Sequence, residues 1–126
     1  MIIEQAIKIF LLTKTEITDL TTVNRINYSV LPQGPIYPWI TFFRYSNPIS
    51  NDIDLVHTYL QFDVWASTYV GAIELAAILR GVLNREKATL SGFGIKQISF
   101  ENEGYMYEPD TKLHHSDVSF KVVYLE

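Results

Sequence analysis

The stretch from Leu55 to Leu83 contains a sharp change of hydrophobic period, which limits the folds that the chain can adopt. From Leu55 to Ala66 apolar side chains alternate with polar or amphipathic ones, a period of two that predicts a β-strand with one face on a core. After Ser67 or Thr68, either of which could cap it, the period becomes that of an α-helix. The predicted apolar stripe of this helix comprises Ala72, Leu75, Ala76, Leu79, Val82 and Leu83. The strand and the helix are expected to pack against each other, so the rest of the chain must complete this pair of layers.

The other patterns predict a second helix and three more strands. The helix runs from Ile2 to about Lys14, and its widened apolar face suits either the protein's own core or burial by another subunit. The three strands are predicted at Trp39–Tyr45, Ile95–Phe100 and Asp117–Leu125. We therefore predict a single domain over residues 1–126, an α+β two-layer sandwich with a four-stranded, mainly antiparallel sheet and two helices packed on one face, in the order α-β-β-α-β-β.

Three segments are expected to connect these elements without regular structure. The proline-containing segment from Leu31 to Pro38 leads into the first strand, and Gly104 to His115 is expected to be an irregular link between the last two strands. The polar segment from Ser46 to Asp54 is longer than a tight hairpin needs, which is typical of a functional connection.

Composition excludes several classes of protein. The chain has no cysteine, so a disulfide framework and a thiolate zinc site are excluded. Its net charge of −4 argues against tight binding to nucleic acid, since proteins that hold phosphates need clustered Lys and Arg. The apolar start of the chain is too short and too charged for a membrane anchor or a signal peptide, so no contact with a membrane is expected.

No group of residues demands a catalytic role or a cofactor. His114 and His115 are adjacent, so in an extended segment they face opposite ways and cannot easily share one metal ion. The acidic residues Glu101, Glu103, Glu108 and Asp110 surround the predicted link, where solvated carboxylates are common. We therefore predict a protein that is not an enzyme, with no catalytic residue, no metal and no cofactor.

The outward face of the strand Leu55–Ala66 is the most informative surface. Its row of His57, Tyr59, Gln61, Asp63 and Trp65 suits either an ordinary solvated sheet face or a contact with another copy of the chain. Within this row Asp63 is expected to form a cross-strand pair or a subunit contact. The predicted interface, with a subunit or a tube, comprises Tyr45, Asn47, Ile49, Asp52, His57, Tyr59, Asp63 and Trp65.

Local strings add a family resemblance to these patterns. LPQG at Leu31–Gly34 is followed by PWITF, QFDVWASTY spans Gln61–Tyr69, and YEPDTKLHHSDVSF begins at Tyr107. Together and in this order, they resemble the tail completion or tail terminator proteins of long-tailed bacteriophages. The resemblance covers roughly Leu31 to Tyr124, and the amino-terminal helix fits by pattern only.

The resemblance implies a structural virion protein. Proteins of this family form a homo-oligomeric ring, typically a hexamer, at the head-proximal end of the tail tube. The ring would end growth of the tube protein and join it to the head connector or stopper protein, with DNA passing through the bore unbound. Such a protein would be assembled in the bacterial host's cytoplasm and would lie in the neck region of the virion's tail. Two alternatives stay open: a ring or adaptor of another phage-derived injection machine, and a small ligand-binding α+β domain.

Overall fold

The computed structural model describes residues 1–21, 25–28, 37–48, 55–87 and 89–125. Within these residues the elements are α1 (Ile3–Leu12), α2 (Thr15–Thr21), β1 (Ile26–Tyr28), β2 (Trp39–Ser46), β3 (Leu55–Ala66), α3 (Tyr69–Leu83), β4 (Thr89–Leu90), β5 (Phe93–Glu108) and β6 (Leu113–Leu125). The strands form one mixed sheet in the order β1-β2-β3-β6-β5-β4. The sheet is strongly curled into a half-barrel.

Strand β3 occupies the middle of the sheet, and its alternating pattern explains why. Val56, Leu60, Phe62 and Val64 are fully buried on the face that the helices cover. The Phe62 ring stacks on Phe42 of β2 with centroids 4.7 Å apart, and it meets Phe120 of β6 edge-on at 5.6 Å. Aromatic contacts of this kind join three neighbouring strands into one core.

Helix α3 begins where the hydrophobic period changes. The Thr68 side chain caps it by accepting the Gly71 N–H at 3.0 Å, and a Cβ at position 71 would lie 2.8 Å from the same hydroxyl. The predicted apolar stripe is confirmed, with Val82 only partly buried. Its fully covered members are Ala72, Leu75, Ala76, Leu79 and Leu83. The helix packs on β3, β6 and β5.

Helix α1 fills the space between the two borders of the curled sheet. It contacts β1 at one border and β4 at the other, with Ile3, Ile7 and Leu11 fully buried. Glu4, on the same helix, pairs with Arg44 of β2 through two hydrogen bonds of 3.0 and 2.5 Å. This bidentate pair fixes the start of α1 against the sheet.

The prediction of four antiparallel strands and two helices is wrong. Over the described residues the sheet has six strands, and β1 pairs with β2 in the parallel sense, so the sheet is mixed. Strands β1 and β4 have three and two residues, too few to show a period of two. Within the described residues α2 is a third helix, and at seven residues it is too short to show a clear helical period.

Strands β5 and β6 are much longer than predicted. The segment Gly104–His115, expected to be irregular, forms the end of a hairpin with its turn at residues 109–112. Its side chains lie beyond most of the core and are mostly exposed on both faces, so the sequence carries no alternation there. Register shifts between Ile95 and Gln97, Phe100 and Asn102, and Arg44 and Ser46 mark irregularities in the ladder. Such bulges increase the twist and bend of a strand, which accounts for the curl.

Phe62→Ala should lower the free energy of unfolding by about 3–5 kcal/mol, because it removes the ring at the centre of the aromatic core. Chemical denaturation monitored by circular dichroism measures this loss. Val70→Ala, at an exposed position of α3, is the control and should change stability by less than about 0.5 kcal/mol. A loss below about 1 kcal/mol for Phe62→Ala would mean that the three strands are held together by other contacts.

Candidate interaction surfaces

The face of the sheet opposite the helices is called here the open face. The structure places His57, Tyr59, Gln61, Asp63 and Trp65 on it, since the residues between them are buried against the core. Most of this row is half-buried by its own neighbours on the sheet. The open face is therefore amphipathic, and its polar groups are arranged in specific pairs.

Asp63 lies at the centre of a polar cluster on the open face. It is only 7% exposed, and its Oδ1 is 2.8 Å from Nε2 of His115 on the neighbouring strand and 3.0 Å from the Gln61 amide nitrogen. The Trp65 ring stacks on the His115 ring at 4.3 Å and 3°. Its indole N–H donates to the Thr41 hydroxyl at 3.1 Å. Of the two alternatives for Asp63, the structure contains the cross-strand pair.

The surroundings of His115 favour its charged form. Burial lowers the pKa of His115, but the hydrogen bond and the charge of Asp63, followed by the charges of Asp117 and Glu108, outweigh burial and raise it above its usual value. When His115 is protonated, it forms an ion pair with Asp63, and the Trp65 ring stacks on its imidazole. The geometry of this pair requires β3 and β6 to keep their register.

The other end of the open face carries a tyrosine pair, of which Tyr45 is exposed and Tyr59 is half-buried. The Tyr45 and Tyr59 rings lie 5.9 Å apart, and the Lys121 ammonium lies 5.9 Å from the centre of the Tyr59 ring. Asn47 accepts a hydrogen bond from the Thr58 hydroxyl, so the chain leaving β2 stays beside β3. Of the predicted interface residues, Ile49 and Asp52 lie outside the described residues.

A second aromatic surface escaped the sequence analysis. Tyr69, Tyr105, Tyr107 and His114 cluster where the β5–β6 hairpin passes the start of α3, and we call this cluster the aromatic tip. The Tyr69 and Tyr105 rings meet edge-on at 4.8 Å, and the Tyr107 and His114 rings are 4.9 Å apart. The Tyr105 hydroxyl lies 2.5 Å from His114 Nδ1. All three tyrosines are exposed. The signal that could have revealed the strand is the spacing of Tyr105 and Tyr107, two residues apart.

A groove near the amino terminus forms a third surface, the N-terminal groove. Its volume is about 270 Å³, and its described lining residues are Ile2, Glu4, Tyr28, Phe42, Phe43 and Arg44. Ile2 is 52% exposed at its mouth, so the widened apolar face of α1 is partly left uncovered. The Lys8 ammonium lies 5.3 Å from the centre of the Tyr28 ring, which adds positive charge beside the groove.

The described residues offer little for catalysis. Nowhere among them do three His, Asp or Glu side chains come together as a metal site would require. A wider groove of about 700 Å³ between α2 and α3 has an apolar floor of Leu20, Ile78 and Val82 and a rim of both charges, without a nucleophile paired to a base. Of the helices that the structure describes, none has the length and apolar character to span a membrane.

Comparison with known proteins identifies the family. The family described as Tail completion protein gp17 matches residues 5–125, which is almost the whole chain. The chain belongs to this family. The tail completion proteins are structural, so the chain is a structural component of a phage-like virion tail. The family resemblance drawn from the sequence strings is thereby confirmed.

A solved structure shares the fold of this tail completion protein. It is a chain from the "Virion of native gene transfer agent (GTA) particle", with a TM-score of 0.79 and 13% sequence identity. The match covers 96% of this chain and 92% of that one, so the two folds agree over most of their lengths. No curated protein matches the chain.

The Asp63–His115 pair should make stability depend on pH. Because the pKa of His115 is raised on folding, the pair stabilises the fold fully below the unfolded value of about 6.5, and this contribution is lost as pH rises through the folded value. Thermal and urea unfolding between pH 5.5 and 8.5 should show His115→Gln losing roughly 1 kcal/mol relative to wild type at the acid end, and less at the alkaline end.

The matched control is the same substitution in an Asp63→Asn background, where burial opposes the charged form of His115 and His115→Gln should no longer lower stability at the acid end. If wild type and His115→Gln show parallel pH profiles, protonation of His115 does not contribute to stability.

Proposed function

We propose that this tail completion protein forms a ring at the head-proximal end of a phage tail tube, where it ends tube growth and joins the tail to the head connector. The observation that carries the proposal is the family match over residues 5–125. The ring would contain only copies of this chain, six of them in the form that the family resemblance implies. Its partners would be the tube protein on one side and the connector on the other.

The surfaces of the chain support such a role. A ring subunit needs two different contact surfaces for its neighbours and further surfaces for the tube and the connector. The open face, the aromatic tip and the N-terminal groove all leave large side chains uncovered in a lone subunit. Tyrosine and tryptophan combine contact area with a polar group, which is why they are enriched at protein interfaces.

We assign contact with the tube to the end of the open face that carries Tyr45 and Tyr59. This end adjoins the connection between β2 and β3, and the predicted interface residues Tyr45, Asn47, His57 and Tyr59 lie there. At the opposite end, Asp63 and Trp65 already bind Thr41 and His115 within the subunit. Their main role is therefore to shape the open face from within.

The charge of the chain is compatible with a passage for DNA. A bore lined by many Lys and Arg would hold phosphates, whereas an acidic subunit with a net charge of −4 leaves DNA free to move. We propose that DNA passes through the ring without specific binding. No catalytic step belongs to this role, and we propose that the chain is not an enzyme.

Removing the protein from its phage or prophage should produce overlong tails or heads without tails, because nothing would end tube growth or join the two parts. Electron microscopy of particles from a deletion strain, with the gene restored in trans as the control, measures both. Normal tails firmly attached to heads in the deletion strain would refute the proposal. In vitro, purified protein should bind one end of isolated tail tubes.

Tyr45→Ser should weaken binding to tube ends about tenfold or more while leaving the subunit's unfolding free energy within about 1 kcal/mol, because Tyr45 is 49% exposed. Pull-down on isolated tubes and urea denaturation measure the two quantities. Leu20→Ser is the control, since Leu20 is 42% exposed but lies on the helical layer. Equal tube binding by both variants and wild type would remove this end of the open face from the tube contact.

A further inference from the structure

We propose that neighbouring subunits of the ring meet through the borders of their sheets, with the aromatic tip and open β5 edge of one copy seated on the N-terminal groove of the next. This inference rests on the proposed ring and specifies its subunit contact. It assigns two surfaces that the sequence analysis did not include among the interface residues.

The edge of β5 that faces away from β6 is covered along only part of its described length. Near the start of β5, strand β4 pairs with Phe93 and Gly94. Further along the same edge, the loop that follows α3 forms hydrogen bonds with β5. The Arg85 N–H donates to the Ile98 carbonyl at 2.6 Å, and the Ile98 N–H donates to the Glu86 carbonyl at 3.2 Å. The Phe100 N–H donates to the side-chain oxygen of Asn84 at 3.0 Å. From 101 to 108, the described part of the chain places no further strand or loop along this edge.

An uncovered strand edge tends to pair with another chain. In an antiparallel pair of strands, every second residue turns its backbone N–H and C=O away from the neighbouring strand. Ile98 and Phe100 are residues of this kind relative to β6. After the register shift between Phe100 and Asn102, the residues of this kind are Glu103, Tyr105 and Tyr107. Eight consecutive residues of free edge are enough for a specific contact by strand addition. Natural proteins usually protect such an edge, and a ring neighbour would do so here.

An exposed apolar surface lies beside that edge. The aromatic tip presents three exposed tyrosines, and Met106, on the other side of the same strand, is 59% exposed. Rings already packed against each other lose little conformational freedom when a partner covers them. This surface therefore has the character of a preformed contact patch, with an apolar body and hydroxyl groups at its rim.

The two borders of the sheet also differ in charge. From Glu101 to Lys112 the hairpin carries four carboxylates and one lysine. At the other border, α1, β1 with the preceding Arg25, and β2 carry three cations, Lys8, Arg25 and Arg44, against the single carboxylate of Glu4. The two borders are thus of opposite sign, and opposite signs steer two copies into a head-to-tail contact.

These features favour a second copy of this chain over other occupants. The excess of carboxylates on the hairpin disfavours phosphate groups of DNA. One border carries a tyrosine-rich surface, and the other carries an apolar groove beside residues of the opposite charge. Two such different surfaces form a heterologous contact, the kind that closes into a ring. A contact between two identical tips would instead place the carboxylates of both copies together.

The test uses two complementary variants of the full chain. The tip variant, Tyr105→Ser with Tyr107→Ser, keeps its groove, and the groove variant, Ile2→Glu, keeps its tip while adding a repelling carboxylate. Each variant alone should assemble at least about tenfold more weakly than wild type, in concentrated solution and in the presence of isolated tail tubes. An equal mixture should form pairs, because one intact junction remains between a tip-variant subunit and a groove-variant subunit. Native mass spectrometry with one variant isotope-labelled identifies these mixed pairs.

Controls and contrary outcomes keep the inference separate from the proposed ring. Leu20→Glu, an added carboxylate on the helical layer, should assemble like wild type, and cooperative thermal unfolding should be retained in every variant. If the tip variant loses cooperative unfolding, Tyr107→Ser alone replaces it.

Rings formed by either variant alone, or a mixture that stays monomeric while wild type forms rings, would overturn this inference and leave the proposed ring itself intact. A tip variant that forms rings but ignores tubes would assign the tip to the tube protein. Wild type that neither self-associates nor binds tubes would overturn both proposals.

Discussion

The contact of three phenylalanine rings across β2, β3 and β6 is the constraint on which the rest of the structure depends. Phe42, Phe62 and Phe120 lie on the face that the helices cover, so these three strands must be neighbours and their register is set. Helix α3 packs onto β3 and β6 because the chain turns directly from strand to helix at Thr68. Once this face is buried, no helix in the described part of the chain covers the other face of the same strands.

The open face then has to be stable in contact with water and still retain its shape. The polar groups of Asp63, His115 and Gln61 bind one another, and Trp65 covers the histidine ring. Satisfied polar groups cost little when partly buried, whereas the same positions filled with apolar residues would invite nonspecific association. The face is thus ordered by its own cross-strand pairs, and the exposed Tyr45 remains available for a partner.

The sequence was most informative where one face of an element is fully buried. The bounds of β3 and the stripe of α3 follow directly from periods of 2 and 3.6 residues, and Asp63 was correctly assigned to the outward side of its strand. Strands β1 and β4 are too short to have a period, and their pairing depends on contacts distant in sequence. The ends of β5 and β6 are hidden for the opposite reason, because residues such as Tyr105 and Tyr107 are exposed and nothing imposes alternation on their neighbours. The aromatic tip could not be predicted while its strands were interpreted as an irregular link. The pair of Asp63 with His115 could not be predicted either, because the two residues are 52 positions apart and meet only through the register of β3 and β6.

The irregular positions in β5 and β2 affect more than the shape of one subunit. Each extra residue turns the strand, so together they determine the angle between the two borders of the sheet. When copies join border to border, that angle is repeated at every junction, and the number of repeats needed to complete a full circle becomes a property of the single chain. The diameter of the channel enclosed by such a circle is therefore encoded, in part, by where the strands of one molecule break their register.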